Sequence, residues 1–235
     1  MESGRRYAFG FYGSGLIGFP TGPLRRFSVN FPTVSDVSLA ELKTFFEARR
    51  GRYEEFEFLD PGGNLMAYSE DFGNAAWTKI GASVGSPGTD PFGGSKARSV
   101  SGGQLTATFC PNAGVSGYRF CVSVYCQGVN PGEQLYIGIN SDGSYFDLPI
   151  GGWRRAYHTM VVNASVPTMK IGSGSWSAVL FGAQAVPLIG EGPYAVSPGN
   201  YGYHQHCRFD TDEFLVSRLG PNQSAVSLPI VEFYG

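Results

Sequence analysis

The sequence predicts a mainly β protein with one helix. It reads as an α+β domain (antiparallel sheet plus one helix) interrupted by an antiparallel β-sandwich or jelly roll. Three observations carry this. Charged residues are only 15% of the 235-residue chain, while Gly numbers 34 and aromatics reach 14%, a turn-rich β composition. The segment SLAELKTFFEARRGRYEEFEFLDP (38–61) has clear helix-then-strand patterning, yet its natural continuation, CRFDTDEFLVSRLGPNQSAVSLPIVEFYG (207–235), comes only at the C-terminus. Between them lies a stretch rich in Gly, Ser and Tyr that holds only short strands. The expected division is therefore 1–62 with 201–235 as one discontinuous domain, and 63–200 as an insert.

Residues 1–26 carry repeated turn signals (Gly13, Gly15, Pro20, Gly22, Pro23) and read as an arm or irregular edge segment. RFSVNF then alternates, with Phe27, Val29 and Phe31 on one face of a half-buried strand that Pro32 closes. Ser38 and Glu41 have the spacing of a capping box, a device that satisfies orphan amides at a helix start. Leu39, Leu42, Phe45 and Phe46 define one apolar face of the helix. Arg49 and Arg50 fall in its last turn, where cations suit the helix dipole, and Gly51 is a natural left-handed stop. In the strand Glu54–Leu59, Phe56 and Phe58 point to the core. Near the C-terminus, Phe214 and Val216 share a face, and GPNQS turns into Val226, Leu228 and Ile230. This hairpin is expected to pair with the Phe56–Phe58 strand. Phe209 completes the core list.

Seven strands are expected within the insert: Gln104–Phe109, Tyr118–Gln127, Gln134–Ile139, Ser144–Leu148, Arg154–Val162, Thr168–Ile171 and Ala178–Ala185. Short strands at this spacing argue for a sandwich or jelly roll. Cys110, Cys121, Cys126 and Cys207 match no zinc pattern. They read as buried thiols, with a Cys110–Cys121 or Cys110–Cys126 bridge left open. A net charge of −2 gives no sign of nucleic-acid binding. No apolar run approaches the ~20 residues of a membrane span, and the N-terminus lacks the apolar core of a signal peptide, so synthesis in a cytoplasm is expected. No cofactor is expected.

Candidate sites are few. In HQHC (204–207), His204 and His206 share one side of a strand, but no third ligand lies nearby, so no metal site is assigned. Asp210, Asp212 and Glu213 lack a cleft for acid–base work, and they read either as solvated edges or as partners for Arg25, Arg26, Arg49, Arg50 or Arg52 of a neighbouring subunit. GSGLIG (13–18) lacks the strand, helix and Lys of a phosphate loop. No nucleophile elbow or supported Ser/His/Asp set is present, so no catalytic residue is assigned. Trp77 and Trp153 read as structural. Trp176, flanked by GSGS, and Tyr145 beside Asp142 and Ser144 are the candidate sugar-stacking residues.

Two resemblances cover different parts of the chain. FFEARRGRYEEFEFLDP (45–61), RFDTDEFLV (208–216) and LPIVEF (228–233) resemble the phage distal tail protein family, in the branch of long-tailed phages and gene transfer agents, and more distantly the minor tail protein M class of lambda-like phages. The resemblance implies a homohexameric ring in the virion tail tip, joining the tail tube protein to the hub and tip proteins. In that reading Phe27, Val29, Leu42, Phe45, Phe46, Phe56, Phe58, Phe209 and Phe214 form the ring domain's core and assembly surface. The insert resembles carbohydrate-binding-module-like sandwiches of tail and fibre proteins, through NLMAYSEDFGNAAWTKIGASV (64–84), Tyr118–Gly128, GGWRRAYHTM (151–160) and VLFGAQAVPLIGEGPYAVSPG (179–199). It departs from them at Ala185-Val186, where an acidic residue is usual. This resemblance implies attachment to a host surface glycan. The rival reading is a carbohydrate-binding adhesion protein whose sandwich is the working part. A third is a glycan hydrolase with paired carboxylates in a groove.

Overall fold

The computed structural model describes residues 9–12, 15–18, 25–110, 117–163, 166–197, 199 and 202–233. The chain is mainly β and divides into two compact units, 1–58 with 204–235, and 59–203. The sequence expectation set these boundaries at 62 and 201.

In the first unit, β1 (Phe9–Tyr12) and β2 (Gly15–Gly18) form an antiparallel two-stranded sheet. The expected irregular arm therefore contains two paired strands, and its residues 1–8, 13–14 and 19–24 lie outside those described. β3 (Arg26–Val34) is longer than expected and runs through Pro32. Proline is tolerated because the pairing of β3 shifts register between Phe31 and Val34, a bulge on an edge strand.

The helix α1 spans Asp36–Ala48. Its N-cap is Ser35, not Ser38: the Ser35 hydroxyl accepts the Ser38 amide at 3.2 Å. The helix thus starts one turn earlier than the S-x-x-E motif suggested. The chain leaves it through Arg49, then through left-handed Arg50 (φ 50°) and Gly51 (φ 61°). Gly51 is also required sterically, since a Cβ there would lie 2.7 Å from the Asp212 carboxylate.

β4 (Phe56–Leu59) belongs to the sheet of this unit. Ten strands of the second unit follow before β15 (Tyr203–Phe209), β16 (Val216–Gly220) and β17 (Gln223–Glu232) complete it. The strand order is β16-β17-β15-β4, with β3 on the other edge of β17. The C-terminal hairpin therefore does not pair with β4 as expected. β15, the strand that carries HQHC, takes that place. Phe214 precedes β16 and packs against the Phe46 ring at 5.4 Å, so it shares no strand face with Val216.

Phe46, Phe56 and Phe209 are buried and form the centre of this core, with Phe27, Val29, Leu42, Phe58 and Phe214 packed around it. Phe45 touches the Phe56 and Phe209 rings at 5.4 and 5.9 Å, but it remains 40% exposed, so it is not the core anchor that its helix position implied. Asp210 and Asp212 are satisfied within the chain, by Arg26 at 3.1 Å and Arg52 at 3.4 Å.

The second unit is a sandwich of two antiparallel five-stranded sheets. Its strands are β5 (Thr78–Ile80), β6 (Ser83–Gly88), β7 (Ala97–Ser101), β8 (Gln104–Thr108), β9 (Arg119–Gly128), β10 (Gln134–Ile139), β11 (Asp142–Asp147), β12 (Arg154–Val161), β13 (Thr168–Ile171) and β14 (Ser177–Val186). One sheet runs β11-β10-β13-β8-β5 and the other β12-β9-β14-β7-β6. The sequence reading missed β5, β6 and β7. β5 is only three residues long, while β6 and β7 hold Gly85, Pro87 and several serines, a poor match to β propensity that pairing within the sheet overrides.

The core between the sheets is set by strand parity. Phe120, Val122, Val124 and Cys126 of β9 face Leu135, Ile137 and Ile139 of β10, with Trp77, Phe72 and Phe109 among the filling aromatics. Cys121, Cys126 and Cys207 are buried thiols in no disulfide, and Cys110 is buried as well. Cys126 lies in the inter-sheet core and Cys121 on the opposite parity of β9, as the sequence spacing required.

Candidate functional site

The opening of the second unit is fixed by one buried asparagine. Asn64 Nδ2 donates to the carbonyls of Ala183 (2.9 Å) and Ala195 (2.8 Å), and its Oδ1 accepts the amides of Met66 (3.0 Å) and Ala185 (3.1 Å). It thereby pins the first loop against β14 and against the closing segment around residue 195. Trp77, almost fully buried beside Phe72, donates its indole N–H to the Tyr68 carbonyl at 3.1 Å. Tyr68 is held in a left-handed backbone conformation (φ 50°) with its side chain 41% exposed. A non-glycine residue in that region is strained.

Around Tyr68 lies a recess of about 540 Å³, lined by Tyr68, Glu70, Asp71, Lys96, Arg98 and Ser197, with Pro87, Ser95 and Val196 at its walls. Its size falls within the usual range for ligand sites, about 300–1,000 Å³. The Glu70 carboxylate accepts Lys96 Nζ at 2.5 Å and the Tyr194 hydroxyl at 3.1 Å. That contact raises the Lys96 ammonium above its ordinary pKa. Asp71 accepts the Gly73 amide at 3.1 Å. Both carboxylates are thus engaged. Two buried polar atoms are not: Arg98 Nε and Ser197 Oγ have no hydrogen-bond partner.

Beside the recess, on the outer face of the β12-β9-β14-β7-β6 sheet, an aromatic cluster joins Phe92, Tyr125, Phe181 and Tyr194. Phe92 stacks on Tyr194 at 6.1 Å and meets Tyr125 edge-on at 5.5 Å. Phe92 is 65% exposed. Gly182 (φ 62°) lets the Tyr194 ring approach, since a Cβ there would sit 2.8 Å from it. Asp90 shapes the Phe92 loop. Burial pushes its carboxyl up, but the amides of Phe92, Gly94 and Lys96 hold it below the ordinary value. Arg155 holds the closing segment down: it donates to Gly192 O (2.6 Å), to Ser123 Oγ (3.2 and 3.0 Å) and to the Gln184 side chain, and lies over the Tyr125 ring at 5.3 Å. Burial raises the Tyr194 phenol well above its usual range.

The sequence-predicted sugar-stacking residues do not form a site together. Trp176 is 3% exposed; its indole N–H donates to Gly103 O at 2.9 Å and its ring lies over Gly172, where a Cβ would come within 2.3 Å. It closes a rim of the sandwich rather than offering a platform. Tyr145 is exposed and packs against Tyr136 at 5.2 Å. Asp142 lies three positions away on β11, on the opposite face, and its carboxylate approaches His158 Nε2 at 3.5 Å. Ser144 meets His158 Nδ1 at 3.2 Å. Ser144 therefore hydrogen-bonds an imidazole that the Asp142 carboxylate also approaches, tying β11 of one sheet to β12 of the other.

The two histidines of HQHC also diverge. His204 is buried and bonds Glu232 at 3.0 Å, while half-exposed His206 bonds Glu55 at 3.1 Å. Among the described residues no group of three metal-ligating side chains converges, and no helix is long and apolar enough to cross a membrane.

The residues that line the recess were missed for a plain reason. Tyr68, Glu70 and Asp71 belong to the opening motif, whose regularity reads as structural, and Lys96, Arg98 and Ser197 come from remote parts of the chain. The adjacent polar run Tyr68-Ser69-Glu70-Asp71 is the one signal that could have marked the place.

No protein-family model matches the chain, and no curated protein matches it. Among solved structures it is similar to the CBM22-1 xylan-binding domain of Xyn10C from Paenibacillus barcinonensis, at 14% identity and TM-score 0.42, over 57% of this chain and 99% of that one. It is also similar to the C-terminal family 22 carbohydrate-binding module of Clostridium thermocellum Xyn10B, at 14% identity and TM-score 0.41, over 55% and 96%. A third is the enzymatically active domain of tailspike protein 4 from bacteriophage CBA120, at 13% identity and TM-score 0.38, where 53% of this chain matches 21% of that one. At these scores they are similarities and no more, and the sandwich rests on its own strand order.

Proposed function

We propose that this protein is a non-catalytic adhesion protein whose inserted sandwich binds a carbohydrate on a host surface. The observation that carries the reading is the recess beside Tyr68, where an exposed aromatic ring adjoins charged side chains and two buried polar atoms without partners. Sugars present an apolar C–H face and a rim of hydroxyls. A ring of Tyr type takes the first, and Lys, Arg, Ser and carboxylate groups take the second. The carboxylates of the recess already hold Lys96, Tyr194 and Gly73, which suits binding better than acid catalysis.

The discontinuous unit formed by the two chain ends would attach the sandwich to a phage tail. What supports this is the likeness of 45–61, 208–216 and 228–233 to distal tail proteins. In that reading the partners are further copies of the chain in a ring, the tail tube protein and the hub proteins.

Two measurements test the proposal. Titration of the full chain with polysaccharides of bacterial surfaces and of plant cell walls should give saturable binding that Tyr68→Ala weakens, and absence of binding across such a panel would refute the adhesion role. Mass in solution and incorporation into tails test the attachment role; a chain that stays monomeric and is absent from purified tails would rule it out.

A further inference from the structure

The charges of the recess are unequally committed. Glu70 is held by Lys96 and Tyr194, Asp71 by Gly73, and Lys96 by Glu70. Arg98 is different, because its Nε is buried without a partner. Ser197 is 1% exposed and its Oγ is likewise unpartnered. Both residues line the same recess. A buried polar group left unpaired is costly, and more so when it carries charge. A ligand that supplies acceptors to both atoms recovers that cost on binding.

The acceptor that best complements a guanidinium is a planar carboxylate, through charge-assisted hydrogen bonds that a neutral hydroxyl cannot match. Ser197 adds an unpartnered hydroxyl, able to act as a second donor, to the lining of the same recess. Tyr68 offers its exposed ring to the apolar face of a sugar.

Resting on the glycan-binding reading of this recess, we propose that it selects a carboxylate-bearing sugar, such as a hexuronate unit of an acidic polysaccharide. Lys96 offsets the charge of Glu70, and around the recess the cations Lys96 and Arg98 match the carboxylates Glu70 and Asp71 in number.

The experiment compares three probes on the intact chain by calorimetry or affinity electrophoresis: uronate polymers (polygalacturonate, alginate and hyaluronan), neutral xylan, and dextran sulfate. At least one uronate polymer should bind about tenfold more tightly than the other two classes. Arg98→Gln should remove most of that preference, and Ser197→Ala should reduce it. Because Arg98→Gln risks unfolding, Arg98→Lys serves beside it: it keeps the charge, loses the guanidinium fork, and should lower uronate affinity while its thermal melt stays near that of the parent chain. Xylan binding as tight as uronate binding overturns acid selection and leaves the glycan-binding reading standing. Dextran sulfate binding as well as uronate overturns the carboxylate assignment. Failure of all three classes, with no other glycan bound, overturns both.

Discussion

The Asp60 amide donates to the Gly202 carbonyl at 2.8 Å, although the whole sandwich separates them in sequence. Gly63 approaches Gly202 so closely that a Cβ on it would lie 2.6 Å from the Gly202 Cα. The two ends of the second unit therefore meet. The chain that makes the sandwich enters and leaves at one place, as an insertion must if its host is to keep a single core.

Removing the sandwich should consequently leave the first unit foldable. A chain lacking residues 64–201, bridged by a short Gly/Ser linker, should be soluble and melt cooperatively with the circular dichroism of a small α+β protein. Its core retains Phe46, Phe56 and Phe209, all of which lie outside the deletion. A product without cooperative unfolding would refute the split arrangement.

Phe209 is the better probe of that core than Phe45. It is 2% exposed and its ring meets Phe46 and Phe56 at 4.8 Å each. Phe209→Ala should cost about 3–5 kcal/mol, the usual range for a buried aromatic. Phe45→Ala should cost markedly less, because two-fifths of that side chain already faces water. Urea unfolding of the two variants should rank them in that order.

Which features could be read from the sequence follows from how local their causes are. The helix, β3 and the long strands of the insert were legible because alternation and helical periodicity are properties of neighbouring residues. The start of α1 was misplaced because two serines compete at Ser35 and Ser38, and only the backbone decides which one caps: Ser35 is extended (φ −70°, ψ 161°), as a cap must be. The place of β15 in the sheet was hidden because the burial of 203–209 breaks alternation, with Gln205 and His206 both exposed. Trp176 misled because its flanking glycines signal a turn, and a turn need not put its side chain in water. The recess itself has no local signature, since Tyr68, Arg98 and Ser197 come together only through the fold.

Ser35→Ala should destabilise the chain by about 1 kcal/mol, whereas Ser38→Ala should cost less, since Ser38 contributes its backbone amide to the cap. Equal losses in denaturant unfolding would return the cap to the capping-box position.

The buried thiols should be inert in the native state. Burial pushes the thiols of Cys126 and Cys207 up to about 12 and raises that of Cys121. At pH 8 almost no thiolate exists at such sites, and the thiolate is the reactive form. Iodoacetamide labelling followed by peptide mass mapping should leave Cys121, Cys126 and Cys207 unmodified in buffer and modify them in urea. Labelling in buffer would show that the sandwich or the first sheet opens readily.

Glu55 should supply a small acid-sensitive contribution. Its carboxylate accepts Arg208 at 2.5 Å and His206 at 3.1 Å, and the Arg208 hydrogen bond, then that of His206, holds its pKa below the ordinary 4.5. A depressed carboxylate stabilises the fold above its unfolded pKa, and that contribution is lost as pH falls through the folded value. The loss thus falls below pH 4.5. The group is 40% exposed, so solvent screening keeps the effect small. The urea midpoint of the parent chain should fall more between pH 5 and strongly acid buffer than that of Glu55→Gln. In Arg208→Met the Glu55 carboxyl resonance should titrate closer to the ordinary value.

Two aromatic substitutions separate scaffold from site in the sandwich. Trp176 fills space over Gly172 and bonds Gly103, so Trp176→Ala leaves a cavity and an unpaired Gly103 carbonyl. It should lower stability by about 3–5 kcal/mol, while the fraction that remains folded keeps its glycan affinity. Tyr68 is half-exposed, and its structural role runs through its backbone carbonyl, which accepts the Trp77 indole in any variant. Tyr68→Ala should therefore shift the melting temperature little and weaken glycan binding by about tenfold, roughly the worth of one aromatic contact. Thermal melts beside binding isotherms for the two variants decide the matter. If Trp176→Ala abolishes binding in folded protein while Tyr68→Ala leaves it intact, the recess is not the binding site and the rim of the sandwich takes its place.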